Sequence, residues 1–231
     1  MAFYTAIDER ELLALLGCYG IEKLSSCVGV SDGIENTTYI LTADSQQWIL
    51  TLFEDLSVAE LPFFARLMTW LHERELPVAC PLIDKNGQAL QNLSGKPALL
   101  FPRLPGHHPR NTTVAHCAVI GDFLGRMHAA SVNYPEQRAN PRGTEWMQQA
   151  RQRLVGILNA EDMALLDAQI VNAKNLRTLP LPQGLIHGDL FHDNALFNGE
   201  QLCGVIDFYN ACSDMLALDL AIVINDWCAL T

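Results

Sequence analysis

Basic residues are scarce in this chain of 231 residues. Lys and Arg together number 15 against 26 Asp and Glu, which gives a formal net charge of −11 at pH 7. The sequence also lacks the basic runs and the interleaved basic and aromatic residues that hold nucleic acids or anionic membranes. We therefore expect neither a nucleic-acid partner nor a membrane partner.

Paired cysteines and long apolar runs are also missing. The seven cysteines contain no C-x-x-C pair and mostly sit in apolar stretches, which is typical of reduced, buried thiols in a cytosolic protein. The most apolar run, 215–224, is about half a bilayer span and contains Asp219. No basic and then apolar leader follows Met1. We therefore expect a cytoplasmic protein without a transmembrane helix.

The hydrophobic pattern divides the chain into a strand-rich first part and a mainly helical second part. The first part is predicted to contain a helix at 8–19, strands at 37–41 and 48–53 turned at Asp44-Ser45, a helix at 57–73, and short strands at 82–83 and 97–101. The stretch 102–106 contains two prolines and a glycine, which makes it the best linker candidate.

The second part is predicted to contain helices at 113–130, 144–158 and 160–179, a strand at 185–186, a hairpin of 195–197 and 202–206, and a final buried helix at 215–230. Asn198-Gly199 predicts a type I′ turn in this hairpin. Gly121 and Gly125 share one face of the first helix, where they would let another backbone approach closely.

The strongest functional signal is H-G-D-L-F-H-D-N at 187–194, followed by I-D-F at 206–208. Kinase-type phosphoryl transfer needs a carboxylate that accepts the proton of an attacking hydroxyl. It also needs oxygen ligands for Mg²⁺, which bridges the ATP phosphates. Asp189 can fill the first role, and Asn194 with Asp207 the second. The pattern therefore indicates an ATP-dependent kinase that uses ATP and Mg²⁺.

Other polar residues near this pattern admit structural explanations. His187 is expected to fasten the loop through hydrogen bonds rather than to react, and His192 to lie on a solvated face. Asp219 is either hydrogen-bonded to the catalytic loop or a helix cap. Asp214 either faces the substrate or lies in an exposed turn. A zinc site is not expected, because H-E-x-x-H and paired cysteines are absent from the sequence.

These residues carry a resemblance to a known family. H-G-D-L-F-H-D-N, I-D-F and D-L-A at 219–221 resemble the aminoglycoside phosphotransferase and choline kinase group, small-molecule relatives of the protein kinases. Within that group, several stretches are most similar to bacterial homoserine kinase: G-I-E-N-T-T-Y at 33–39, W-I-L-T-L-F-E at 48–54, L-P-F-F at 61–64, A-H-C-A at 115–118 and I-D-F-Y-N-A-C at 206–212.

The resemblance implies an α+β, two-lobed, protein-kinase-like fold. A small antiparallel-sheet lobe at 1–101 would bind the nucleotide, a hinge would lie at 102–106, and a mainly helical lobe at 107–231 would carry the catalytic loop. Because family members generally continue further, we expect this second lobe to be truncated. The implied reaction transfers the ATP γ-phosphate to the hydroxyl of L-homoserine, the step that leads to threonine.

Two alternatives stay open. The acceptor could be another small hydroxyl compound, such as choline, methylthioribose or an aminoglycoside. The chain could also be a nucleotide-binding pseudokinase without activity, an alternative suggested by its abrupt end and by a missing lysine. The oligomeric state does not follow from the sequence.

The resemblance also assigns nucleotide-binding positions. The loop 29–36 would cover the phosphates with Gly33 and Asn36, although it lacks the full G-x-G-x-x-G pattern. Thr51 stands where a kinase usually has its phosphate-binding lysine. Phe101 and Arg103 would lie at the hinge beside the nucleotide.

Two further departures concern the same lobe. Ser57 and Glu60 fit a capping box better than Glu60 fits the carboxylate that pairs with such a lysine. Pro102 has no N–H to offer to adenine.

Overall fold

The computed structural model describes residues 5–30 and 35–229, which form two compact units. The first unit consists of the described residues up to Asn111 together with Asp193–Ile206, and the second of Thr112–His192 and the described residues from Asp207 onward. The hinge at 102–106 and the lobe boundaries set by it stay a prediction.

Nine strands and six α-helices are present among the described residues. The elements up to the middle of the chain are α1 (Glu9–Cys18), β1 (Leu24–Gly29), β2 (Asn36–Ala43), β3 (Gln46–Phe53), α2 (Leu61–His72), β4 (Gln91–Leu93), β5 (Lys96–Pro102) and α3 (Val114–Ser131). Those that follow are α4 (Thr144–Arg153), α5 (Ala160–Leu176), β6 (Gln183–Ile186), β7 (Ala195–Asn198), β8 (Gln201–Val205), β9 (Cys212–Met215) and α6 (Leu216–Val223).

A five-stranded antiparallel sheet with the order β1-β2-β3-β5-β4 forms the centre of the first unit. Helix α1 begins as predicted, because the Asp8 side chain accepts hydrogen bonds from the backbone N–H groups of Arg10 and Glu11. Its leucines, together with Ile21 just after the helix, pack with alternate apolar residues of the sheet in one core cluster: Leu12, Leu15, Leu16 and Ile21 with Leu41, Ala43, Leu50, Leu52, Leu93, Ala98 and Leu100.

The β2–β3 hairpin confirms the predicted turn. Asp44 and Ser45 have φ values of 50° and 64°, and positive φ at both central residues is the mark of a type I′ turn. The Asp44 carboxylate also accepts hydrogen bonds from the backbone N–H groups of Glu22 and Lys23. The turn thereby holds the chain that leads into β1.

Three local predictions for the first unit are wrong. Residues 82–83 form no strand, and β5 pairs instead with β4, which was not predicted. Helix α2 begins at Leu61 rather than at Ser57. In the turn before it, the Glu60 carboxylate accepts hydrogen bonds from the N–H and hydroxyl of Ser57, and the first of these is one of the two bonds of the predicted capping box. The turn between β7 and β8 consists of Gly199 and Glu200, of which only Gly199 has positive φ, so it is not type I′.

The stretch after β5 is tied to strand β7. The backbone N–H and C=O of His107 both pair with Phe197. Gly106 has a φ of 93°, and a Cβ at this position would lie 2.8 Å from the Phe197 carbonyl oxygen. Only glycine therefore fits at the end of the predicted linker.

The second unit combines helices with one short antiparallel pair, β6–β9. Helices α4 and α5 are joined by an ion pair between Arg151 and Asp167. The predicted final helix at 215–230 is partly wrong. Met215 still belongs to β9, α6 ends at Val223, and the π-helical turn Ile224–Cys228 follows.

Two other helix predictions need correction. Helix α4 ends at Arg153 rather than at 158. Nothing beyond the local helix backbone and neighbouring residues lies within 4 Å of a Cβ placed at Gly121 or Gly125, so among the described residues the close approach predicted there does not occur. In the part of the chain that the structure describes, no helix combines the length and apolar character needed to cross a membrane.

Candidate active site

The predicted catalytic loop follows directly after β6. Gly188 has a φ of 78°, and a Cβ there would lie 2.9 Å from the backbone oxygen of Asn210. The loop can lie this close to Asn210 only because residue 188 is a glycine.

Asp189 lies beside the short 3₁₀ turn Phe208–Asn210, which begins directly after Asp207. The Asn210 side chain donates a hydrogen bond from Nδ2 to Asp189 Oδ2 at 3.2 Å. Within the second unit, the predicted base Asp189 therefore contacts the turn that directly follows Asp207, one of the two predicted metal ligands.

Asp207 has an unusual backbone conformation, with φ 62° and ψ 55°. This left-handed region is sparsely populated by residues other than glycine, and such strain clusters at functional sites. Within the first unit, the backbone N–H of Ile206 donates to the Asn194 carbonyl at 3.0 Å. Asn194 thus contacts the residue that precedes Asp207 in the chain.

His187 fastens the loop, as the sequence indicated. It is fully buried, and its Nδ1 accepts a hydrogen bond from the backbone N–H of Asp189 at 3.3 Å. Its ring lies 4.5 Å from that of Phe208, measured between centroids.

Asp219 is fully buried below the loop. Its carboxylate accepts hydrogen bonds of 2.9 Å from the backbone N–H groups of His187 and Gly188, and another of 2.9 Å from His128 Nε2. The N-cap of α6 is Met215, so of the two alternatives for Asp219 the loop contact is confirmed and the cap is wrong. These three donors offset the cost of burying the charge.

Two residues that sequence reasoning missed also contact the loop. In the π-helical turn, Asp226 Oδ2 accepts a hydrogen bond of 2.6 Å from the backbone N–H of His192, and the His192 ring also contacts this carboxylate. Trp227 donates its indole N–H to the Leu190 carbonyl at 2.9 Å. His192 was predicted to lie on a solvated face; its side chain is partly exposed, but it also pairs with Asp226. A polar residue inside the apolar stretch 215–230 was the signal that could have identified Asp226.

Asp214 is buried on β9, where it pairs with a partly exposed arginine, so the exposed-turn alternative is wrong. Arg177 binds its two carboxylate oxygens at 2.9 and 2.8 Å, and Asn140 Nδ2 donates at 2.6 Å. Burial would raise the pKa of Asp214, but the hydrogen bonds from Arg177, Asn140 and the Met215 N–H outweigh it and hold the pKa below its ordinary value.

The nucleotide-binding residues predicted for the first unit lie on or beside its sheet. Asn36 is the first residue of β2, and Thr51 is buried in β3 between Thr38 and Leu99. Phe101 is buried in β5, whereas Arg103 is exposed and donates from its guanidinium to Gln47 Oε1 at 2.7 Å. Gly33 lies outside the described residues.

The first unit has a charged cluster of its own at the ends of β3 and β5. Lys96 Nζ lies 2.8 Å from Glu54 Oε2, while the hydroxyls of Thr5 and Thr37 donate to Glu54 Oε1 at 2.6 and 2.7 Å. Burial opposes ionisation of Glu54, but these hydrogen bonds and the Lys96 charge lower its pKa to about 2.

Mg²⁺ prefers oxygen ligands and usually takes one or two carboxylates together with substrate phosphates, and the Asn194 amide and the Asp207 carboxylate each offer an oxygen of this kind. No group of three or more His, Cys, Asp or Glu that could hold a metal occurs within residues 5–30 and 35–229. A site completed by phosphate oxygens requires no such group.

The sequence is similar to a known protein family and to individual members of it. Residues 26–230 match the phosphotransferase enzyme family. The chain is 41% identical over 228 residues to a homoserine kinase of Methylobacillus flagellatus, covering 99% of this chain and 72% of that protein. It is 40% identical over 233 residues to a homoserine kinase of Pseudomonas aeruginosa, covering 100% and 74%.

Solved structures share the fold. An amicoumacin kinase in complex with AMP-PNP, Ca²⁺ and Ami superimposes with a TM-score of 0.76 at 17% identity, covering 95% of this chain and 69% of that one. A spectinomycin phosphotransferase in complex with ADP and spectinomycin gives a TM-score of 0.73 at 16% identity, covering 95% and 74%. The predicted α+β, kinase-like fold is confirmed.

Proposed function

This chain belongs to the phosphotransferase enzyme family, and we propose that it transfers the γ-phosphate of ATP to the side-chain hydroxyl of L-homoserine. The observation that carries the proposal is the identity of about 40% to homoserine kinases, which extends over essentially the whole chain. The hydrogen-bonded loop around Asp189 supports it, because phosphoryl transfer depends on accurate positioning of the attacking hydroxyl.

Asp189 is the proposed base. Its carboxylate would accept the proton of the homoserine hydroxyl as the oxygen attacks the γ-phosphate. The contact with Asn210 and the bond from its own N–H to His187 hold the residue in the loop. General-base catalysis of this kind contributes about 10²–10⁴-fold to a rate.

Asn194 and Asp207 are the proposed Mg²⁺ ligands, through an amide oxygen and a carboxylate. When bound, the ion neutralises negative charge on the phosphates. The left-handed backbone of Asp207 supports a functional role, because a conformation that costs about 1–3 kcal/mol persists only where the surroundings enforce it.

ATP is the proposed phosphate donor, since the two solved relatives hold AMP-PNP and ADP. We assign Gly33 and Asn36 to the phosphate-covering loop, and Phe101 and Arg103 to the nucleotide side of the hinge. Thr51 can offer a hydroxyl but no positive charge in place of the usual lysine. We also propose a cytoplasmic location, which the seven free cysteines support.

A panel of acceptors tests the proposal. ADP release is measured with MgATP and with homoserine, choline, methylthioribose or spectinomycin. We expect kcat/KM for homoserine to exceed the others by at least about 100-fold, since a site built to pair polar substrate groups rejects analogues that leave them unpaired. A higher value for another acceptor would replace homoserine, and MgATP binding without ADP release from any acceptor would identify a pseudokinase.

A further inference from the structure

The π-helical turn Ile224–Cys228 contacts the catalytic loop through two consecutive side chains. Asp226 binds the backbone N–H of His192, and Trp227 binds the backbone C=O of Leu190. Single turns of π-helix are rare and occur frequently at functional sites. Here the wider turn presents two neighbouring residues to the same loop.

The two contacts differ in kind. The Asp226 bond to His192 joins a carboxylate to a backbone N–H at 2.6 Å, and charge-assisted bonds of this length are about twice as strong as neutral ones. The Trp227 bond is neutral, but the side chain is only 1% exposed, so its packing fixes the direction of the indole N–H. Together they hold the backbone on both sides of Phe191.

The π-helical turn is itself anchored to helix α3. The Cys117 thiol donates to the Trp227 carbonyl at 3.1 Å. The loop is thus connected through Trp227 to a helix of 18 residues, independently of the bonds from Asp219 to His187 and Gly188. Asp219 holds the start of the loop, and the π-helical turn holds the residues after Asp189.

We propose that Asp226 and Trp227 are positioning residues for phosphoryl transfer, which fix the backbone of residues 190–192 and thereby the direction of Asp189. The proposal rests on the proposed kinase function. Neither residue touches a reacting atom. Their effect is geometric, and a shift of about 1 Å in a positioned group can lower a rate about 100-fold.

Three variants and one control separate this role from general stability. Asp226→Ala removes the acceptor, Asp226→Asn keeps an oxygen that the His192 N–H can reach, and Trp227→Phe removes only the indole donor and part of the ring. Asp122→Ala on helix α3 is the control, because this exposed side chain lies 3.7 Å from Arg126 and has no contact with the loop among the bonds described.

The first measurement is steady-state kinetics with ATP and homoserine. We expect Asp226→Ala to lower kcat about 10- to 100-fold with each KM changed less than about threefold. Asp226→Asn should recover kcat to within about fivefold of the wild type, because one acceptor oxygen remains. In Trp227→Phe, kcat should fall about fivefold, and in Asp122→Ala it should equal that of the wild type. Equal kcat in Asp226→Ala and the wild type would overturn the inference.

The second measurement is backbone hydrogen exchange in the free protein, which needs no activity. Asp226→Ala should speed exchange of the Phe191 and His192 amides at least about tenfold while the amides of α3 and β6 keep their wild-type rates. Faster exchange throughout the second unit would show a general structural role and overturn the inference.

The two measurements also separate this inference from the proposed function. A wild-type protein that transfers no phosphate contradicts the proposed function, and the exchange data then decide whether the π-helical turn holds the loop. An active wild type with unchanged exchange and kcat in Asp226→Ala contradicts the inference alone.

Discussion

Selected carboxylates of the two compact units bind different kinds of partner. In the second unit, Asp219 and Asp226 bind backbone N–H groups of the loop that carries Asp189. In the first unit, Glu54 binds Lys96 and two threonine hydroxyls and has no contact of this kind among the bonds described.

We therefore expect the charges that affect turnover to lie in the second unit. Asp219 and Asp226 hold the loop of the proposed base, so removing either carboxylate should affect turnover. Glu54 joins the ends of β3 and β5 through Lys96, so its removal should affect stability alone. Four substitutions test this contrast, and they follow in order of the expected effect, the largest first.

Asp189→Asn should have the largest effect. It keeps the shape of the side chain and removes the carboxylate that accepts the proton, so we expect kcat to fall by about 10³-fold. Isothermal titration should show ATP affinity within about threefold of the wild type, because the base contacts the acceptor rather than the nucleotide. Wild-type turnover in this variant would remove Asp189 from the base role.

Asp219→Ala should be the most destabilising of the four. It leaves the backbone N–H groups of His187 and Gly188 and the His128 ring without their buried acceptor. The free energy of unfolding should fall by about 3–5 kcal/mol in urea denaturation, the usual cost of breaking a buried charged network. Asp122→Ala should stay within about 0.5 kcal/mol of the wild type. If the free energy of unfolding falls no more in Asp219→Ala than in the control, the three hydrogen bonds to Asp219 do not stabilise the fold as described.

Asp214→Asn tests a carboxylate of the second unit that does not contact the loop. We expect a loss of about 2 kcal/mol at pH 7, because the buried side chain loses its charged bonds to Arg177. Since the pKa of Asp214 is lowered by folding, its contribution is present above the ordinary value of 3.8 and is lost as pH falls through the lower folded value. Chemical denaturation from pH 7 to pH 3 should show the two proteins converging below pH 4, and a constant difference would be the contrary result.

Glu54→Gln should have the smallest effect, about 1 kcal/mol at pH 7, since Lys96 is partly exposed and screened by solvent. Folding lowers the pKa of Glu54 from 4.5 to about 2, so its contribution is present above pH 4.5 and is lost as pH falls toward 2. Turnover at pH 7 should equal that of the wild type. A large loss of kcat would mean that first-unit charge takes part in catalysis.

Local chemistry explains why part of the fold could be predicted. Asp8 capped α1, and Asp44-Ser45 formed the expected turn, because in both cases neighbouring residues determine the backbone. The pairing of β4 with β5 was missed, since strand partners depend on residues elsewhere in the chain. A different limit applied to the boundary between α6 and the π-helical turn. All residues of α6 except Asp219 are apolar, so the hydrophobic pattern gives no end point for the helix.

The candidate site follows the same rule. The spacing of Asp189, Asn194 and Asp207 is local and indicated the chemistry from the sequence alone. His128 and Trp227 each bond to a residue more than 30 positions away in the chain, and no local sequence pattern predicts such bonds. Asp219 could be placed only as one of two alternatives, because choosing between a cap and a loop contact requires the tertiary structure.

We propose that the loop around Asp189 directs phosphate from ATP to the hydroxyl of homoserine. Phosphorus NMR of the wild-type protein with MgATP and homoserine tests it most directly, with Asp189→Asn measured beside it. We expect a new phosphomonoester signal that grows in step with ADP in the wild type and forms about 10³-fold more slowly in the variant. ADP accompanied only by inorganic phosphate, or equal phosphomonoester formation by both proteins, would contradict it.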